Sequence, residues 1–194
     1  MKKVGLYFGT FNPIHIGHLI IANHIAENSD LDEVWLVVTP HNPLKKKNTL
    51  LADHHRFQMV QLALKDYPKL RASKIEFNLP QPNYTINTLV HLEEKFPNHT
   101  FNLIMGQDNL QSFKKWKNHE VILENYAIYV YPRMYKNKKD IDLMHHDKVH
   151  AIEAPMVEIS STHIRNSILH KKNIKPLVSD EIWNYLDEMN FYKK

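Results

Sequence analysis

The chain contains no cysteine, and this removes disulfides, thiolate zinc sites and a cysteine nucleophile together. Glycine is nearly as scarce: only Gly5, Gly9, Gly17 and Gly106 occur among 194 residues. A Walker loop and a G-x-G-x-x-G fingerprint both need several glycines at fixed spacing, so neither is present. No apolar run approaches the ~20 residues that cross a bilayer. The N-terminal stretch has a basic start and a short apolar run but meets Asn12-Pro13 early and offers no small-residue cleavage site, so a cytoplasmic protein is expected. Charge of one sign is lacking too. Twenty-five Lys and Arg face twenty-one Asp and Glu, for a net charge of +4. The basic runs Lys45–Lys47, Lys114-Lys115-Trp116-Lys117 and Lys136–Lys139 are short, which disfavours a dedicated nucleic-acid binder. A modest positive balance suits small polyanions.

What the sequence does contain is a regular alternation of strand and helix patterns. Val4–Phe8, Val34–Val38, Arg71–Phe77, Phe101–Met105, Ala127–Tyr131 and Val149–Ile152 are expected strands. Helices are expected from Ile16 to Ala26, from Asp53 as N-cap, from Thr85 to Phe96, from Ser160-Ser161-Thr162 through Leu169, and after Ser179. The second strand is apolar throughout, as in a parallel sheet covered on both faces. The expected fold is therefore a single α/β domain over residues 1–194: an open, parallel, Rossmann-like sheet with right-handed crossovers, helices on both faces and helical elements at the C-terminal end.

Three constellations carry chemistry. Gly9-Thr10-Phe11-Asn12-Pro13-Ile14-His15-Ile16-Gly17-His18 joins the first strand to the first helix. Free backbone N–H groups and two imidazoles three residues apart make a natural phosphate cradle, and Gly17 leaves room for a bulky ligand to approach. A zinc pair is the rival reading, but no motif supplies a third ligand. Ser160-Ser161-Thr162-His163-Ile164-Arg165 places hydroxyls at a helix N-terminus and a guanidinium one turn in, which is an anion site or an ordinary N-cap. Met105-Gly106-Gln107-Asp108 ends the fourth strand, where ligands of open α/β sheets bind at the reversal of strand order; Asp108 read alone is equally an N-cap.

These residues carry a resemblance. His15-Ile16-Gly17-His18 together with Ile159-Ser160-Ser161-Thr162-His163-Ile164-Arg165 resembles the HxGH nucleotidyltransferase superfamily. Asn42-Pro43-Leu44-Lys45, Tyr84-Thr85-Ile86-Asn87-Thr88-Leu89 and Ile104-Met105-Gly106-Gln107-Asp108 followed by Trp116 resemble its bacterial nicotinate-nucleotide adenylyltransferases. The resemblance implies transfer of AMP from ATP to nicotinate mononucleotide, with Mg²⁺ carried mainly by the phosphates and no metal bound by side chains alone. It implies that Gly9, Thr10, Phe11, His15 and His18 hold ATP phosphates, that Ser161, Thr162 and Arg165 hold the β- and γ-phosphates, and that Gly106 and Asp108 meet the nucleoside sugars. Arg133, after the fifth strand, joins the ATP set. His15, His18 and Arg165 are the implied catalytic residues. Lys45, Tyr84, Thr85 and Trp116 are the implied mononucleotide residues, with Trp116 stacking on the pyridine ring; without its neighbouring motifs Trp116 reads as a core aromatic. The chain departs from the family pattern at Phe8, where relatives carry a second glycine, at Asn12, where they often carry Asp, and at Asn118, near a position often aromatic.

Two rival functions remain at this level: a relative acting on nicotinamide mononucleotide, and a nucleotide sensor without turnover. A homo-oligomer is compatible with the sequence.

Overall fold

Six parallel strands form one sheet in the order β3-β2-β1-β4-β5-β6: β1 (Lys2–Gly9), β2 (Glu33–Val38), β3 (Leu70–Ser73), β4 (His99–Gly106), β5 (Ile128–Tyr131) and β6 (Val149–Ala151). This computed structural model describes residues 1–40, 50–133 and 142–193. Among them are seven α-helices, five between strands and two after the last: α1 (Ile16–Asn28), α2 (Asp53–Ala63), α3 (Thr85–Lys95), α4 (Gln107–Gln111), α5 (His119–Asn125), α6 (Ser161–Leu169) and α7 (Asp180–Glu188).

The period-2 alternation of each strand divides the core into two layers. Tyr7, Leu36, Ile104 and Tyr129 face α1, α2, α6 and α7, where Ile25, Met59, Ile164 and Leu186 meet them. Leu6, Val37, Leu103 and Ile128 face the other way, onto Leu89, Leu110 and Ile122 of α3, α4 and α5. Both faces are covered, so the central strands are apolar on both sides.

Strand β1 pairs with β2 on one side (Val4↔Glu33 to Gly9↔Val38) and with β4 on the other (Lys2↔His99 to Tyr7↔Ile104). The chain runs outward from β1 through β2 to β3, then returns to lay β4 on the free side of β1. Strand order therefore reverses between β1 and β4, and a crevice opens beyond their carboxyl ends. Gly9 and Gly106 stand at those two ends.

Two expectations need correction. The third strand stops at Ser73 rather than Phe77, and Ile75–Asn78 coils into a 3₁₀ turn. Its partner explains this: β2 ends at Val38 with Pro40 just beyond, leaving no ladder to extend. Asp53 is the first helical residue of α2 and Ala52 the cap; the Asp53 carboxylate pairs with Arg56 at 2.5 Å instead. Ser179 occupies the N-cap position of α7, as expected.

Candidate active site

The β1–α1 junction is held open by specific anchors. Gly9 accepts a backbone bond from Thr39 at the end of β2, at 2.9 Å. Phe11 follows in the left-handed region (φ 44°) and buries its ring edge-on to Tyr7 and His18. Asn12 is buried; its Oδ1 accepts from the Leu51 amide at 3.2 Å and from the Tyr192 hydroxyl at 2.6 Å. An amide oxygen at this position thus ties the loop to a tyrosine near the C-terminal end. Tyr192 was not legible as a site residue, because nothing local in Asn190-Phe191-Tyr192 signals it.

Arg56 was missed as well. It is fully buried, and its guanidinium donates to three backbone carbonyls: Thr10 at 2.6 Å, Thr39 at 2.9 Å and Leu51 at 2.9 Å. One side chain therefore fastens the loop after β1 to the end of β2. The sequence did hold a signal, since Arg56, Met59, Val60 and Ala63 form the buried stripe of α2 and only one of them is charged.

His15 caps α1 and His18 sits one turn in, so the two rings stack with centroids 3.7 Å apart. The His15 amide donates to His18 Nδ1 at 3.3 Å. Burial, helped by the nearby Arg133 guanidinium, depresses the His15 pKa to about 4. His15 is therefore neutral at physiological pH, and its side chain and that of His18 face each other's backbone N–H groups in a reciprocal capping arrangement. The space at Gly17 serves the protein itself: a Cβ there would lie 3.1 Å from both His15 Nδ1 and Val157 Cγ1.

The late motif folds onto this loop. Ser160 caps α6 by accepting from the His163 amide at 3.1 Å. Ser161 donates to the Pro13 carbonyl at 2.8 Å, Arg165 Nη1 to the Asn12 carbonyl at 2.8 Å, and Arg165 Nη2 to the Thr162 hydroxyl at 3.2 Å. Residues near opposite ends of the chain are thus in direct contact just beyond the carboxyl end of β1.

Beyond β4, a Cβ on Gly106 would lie 2.5 Å from Asp108 Oδ1 and 3.2 Å from Arg133 Nε, so a side chain there would push these two groups off the strand end. Asp108 is in the first turn of α4, with Gly106 as the cap. Arg133 Nε stands 3.9 Å from Asp108, and its Nη2 donates to the Tyr131 hydroxyl at 3.2 Å, which pairs in turn with Tyr7. Arg133 thereby joins the cluster around His15.

Tyr84, Thr85 and Trp116 line a neighbouring cavity of about 320 Å³, with Phe8, Met105 and Asn109. Phe8, which replaces a glycine of the family pattern, is part of this wall. Lys117 rests over the Tyr84 ring at 4.6 Å. Asn118 adopts the left-handed conformation (φ 53°) that caps α5, a backbone role suited to Asn. Asn42–Lys45, and Lys45 with it, falls outside the described residues. A cavity of about 470 Å³ between α6 and α7 contains none of the motif residues. No helix among the described residues is long and apolar enough to cross a membrane.

Residues 6–167 match the cytidylyltransferase-like family. Proteins of Flavobacterium psychrophilum and Flavobacterium johnsoniae, each named "Probable nicotinate-nucleotide adenylyltransferase", are 66% and 64% identical to this chain, covering 99% of it and 100% of their own length. The chain belongs to the cytidylyltransferase-like family, within its nicotinate-nucleotide adenylyltransferases. As in other members of that family, the fold is a parallel nucleotidyltransferase sheet. Plasmodium falciparum nicotinic acid mononucleotide adenylyltransferase complexed with NaAD superposes with a TM-score of 0.84 at 22% identity, over 100% of this chain and 98% of that one. The same protein complexed with APC gives 0.83. In this nicotinate-nucleotide adenylyltransferase-family chain, the HxGH and SSTxIR motifs are the segments that meet at the crevice.

Proposed function

We propose that this chain transfers the adenylyl group of ATP to nicotinate mononucleotide, yielding deamido-NAD and pyrophosphate in NAD biosynthesis. One observation carries the reading: the α1 imidazoles and the Ser161-Thr162-Arg165 turn converge beside an aromatic-walled cavity at the β1/β4 reversal. The triphosphate fits the first part and a flat pyridine ring the second.

An oxygen of the acceptor's 5′-phosphate attacks the α-phosphorus in line. The new P–O bond forms as the bond to the β-phosphate oxygen breaks, and pyrophosphate leaves with the electron pair. The attacking group is already anionic, so no protein nucleophile or general base is needed. Catalysis is then positioning and charge stabilisation. Arg165 sits one turn into α6, beside an N-terminus whose orphan N–H groups also favour an anion, and would hold the leaving phosphates. His18 donates to the transferred group. His15, held neutral by burial, would serve as a hydrogen-bonding partner to the phosphates. Arg133 and Asp108 address the nucleoside, and Trp116 with Thr85 the acceptor's ring and carboxylate.

An ATP-using nucleotidyltransferase calls for a divalent cation, here assigned to Mg²⁺. Among the described residues no group of three His, Asp or Glu could hold a metal. Phosphate oxygens and water suit a hard divalent cation, which would then need no protein cage. When bound, it offsets phosphate charge.

The test is pyrophosphate release from ATP and Mg²⁺ with nicotinate or nicotinamide mononucleotide. Release with the acid, stopped by a chelator and restored by Mg²⁺, supports the reading. A protein that binds ATP and releases nothing is a sensor, and the proposal falls.

A further inference from the structure

The early end of β3 has a chemical result. Because the chain leaves the sheet after Ser73, the 3₁₀ turn carries Glu76 into the wall of the acceptor cavity beside Thr39, Asn83, Thr85 and Trp116. Glu76 is 2% exposed. Its Oε1 accepts from the Thr88 hydroxyl at 2.7 Å, one turn into α3, and its Oε2 has no hydrogen-bond partner. Asn83, 6% exposed, donates from Nδ2 to the Glu76 carbonyl at 3.2 Å and leaves its own Oδ1 unpartnered. Two buried polar atoms without partners thus belong to side chains that line a ligand-sized cavity, and a small shift of either side chain would present them to a ligand.

We propose that Glu76 is the specificity-determining residue for the acceptor's ring substituent, donating a hydrogen bond from a protonated Oε2 to the pyridine carboxylate beside the N-terminus of α3. The inference rests on the proposed reaction and deepens it.

The chemistry follows from what each ligand offers. A carboxylate has acceptors only. It is satisfied by the α3 N–H groups and by a neutral carboxyl, whereas an ionised Glu76 would face it with like charge. A carboxamide brings an NH₂, which pairs with an ionised Oε2. Burial pushes the Glu76 carboxyl up, against the pull of the Thr88 and Thr39 hydroxyls, and no cation offsets that burial. The other titratable groups lining the cavity are Lys115, Lys117 and Tyr84; the strands and α4 contribute only groups that do not titrate.

The experiment compares kcat/KM for nicotinate and nicotinamide mononucleotide between pH 5 and pH 8, and takes their ratio. ATP and the acceptor's phosphate are common to both reactions, so their titrations cancel. In the wild type the acid/amide ratio falls as pH rises. In Glu76→Gln the carboxamide still accepts from Thr88 and donates an N–H, so the ratio stays high and becomes flat. In Glu76→Met, which keeps volume and loses the donor, the ratio drops by about tenfold or more at low pH. A ratio in both variants that tracks the wild type overturns the role of Glu76; if Glu76→Met does not fold, the pH profile of Glu76→Gln decides. No turnover of either mononucleotide by the wild type overturns the proposed reaction itself, and this inference with it.

Discussion

Arg165 Nη1 donates to the backbone carbonyl of Asn12 at 2.8 Å across 153 positions of sequence. The guanidinium that would hold the leaving phosphates is therefore also braced against the loop that would hold the transferred one. Charge and geometry at the two ends of a bound triphosphate would then be set by one contact.

Replacing Arg165 should therefore cost more than one charge. Arg165→Ala is expected to lower kcat/KM for ATP by about 10²–10³-fold, the usual loss of a preorganised donor to a developing anion. Arg165→Lys should recover little, because a point charge cannot reach both Asn12 and Thr162. Steady-state pyrophosphate release with varied ATP is the measurement. Recovery to near wild-type rates in the lysine variant would leave charge alone as the role.

Arg56 makes a different prediction, on the link between packing and stability. Arg56→Met keeps volume on the buried stripe of α2 but orphans the carbonyls of Thr10, Thr39 and Leu51. A loss of about 3–5 kcal/mol in unfolding free energy is expected from breaking such a buried charged network. Urea denaturation reads it directly. A change below about 1 kcal/mol would mean those carbonyls find water, and the clamp would be dismissed.

His15 links burial to pH. Its native pKa of about 4 lies below the ordinary value of 6.5, so the unfolded chain binds the proton first as pH falls. Stability is fully present above about pH 6.5 and is lost as pH drops toward 4, by about 3 kcal/mol at most. His15→Gln should flatten that part of the stability–pH curve, measured by denaturant titrations at pH 4.5 and pH 7. An unchanged slope would assign the acid sensitivity to other groups.

Trp116 should separate the two substrates. Trp116→Leu is expected to raise KM for the mononucleotide by about tenfold or more, through lost ring stacking, while KM for ATP changes little. Equal effects on both would make Trp116 a core residue, the reading its sequence allowed in isolation.

Much of the fold was legible. Alternating strand and helix patterns gave the open parallel sheet, because period-2 and period-3.6 burial leave distinct marks on a sequence. The HxGH and SSTxIR motifs were legible because helix N-termini, hydroxyls and imidazoles at fixed spacing have local phosphate-binding chemistry. The end of β3 was not, since Arg71–Phe77 has strand character and only the partner's end stops it. Glu76 was hidden for the same reason. Gly17 was assigned to ligand approach, but the space is taken by His15 and Val157.

By itself, the sequence determined what the local segments can do: which runs become strands, which turns present N–H groups and hydroxyls, and which chemistries lack their residues. Tertiary structure decided which of those segments meet. It put Asn12 against Arg165 and Tyr192, drove Arg56 beneath the loop after β1, and turned Glu76 into the wall of the cavity lined by Tyr84, Thr85 and Trp116. Such contacts depend on strand order and helix packing across the whole chain, and no local pattern encodes a partner more than a hundred residues away.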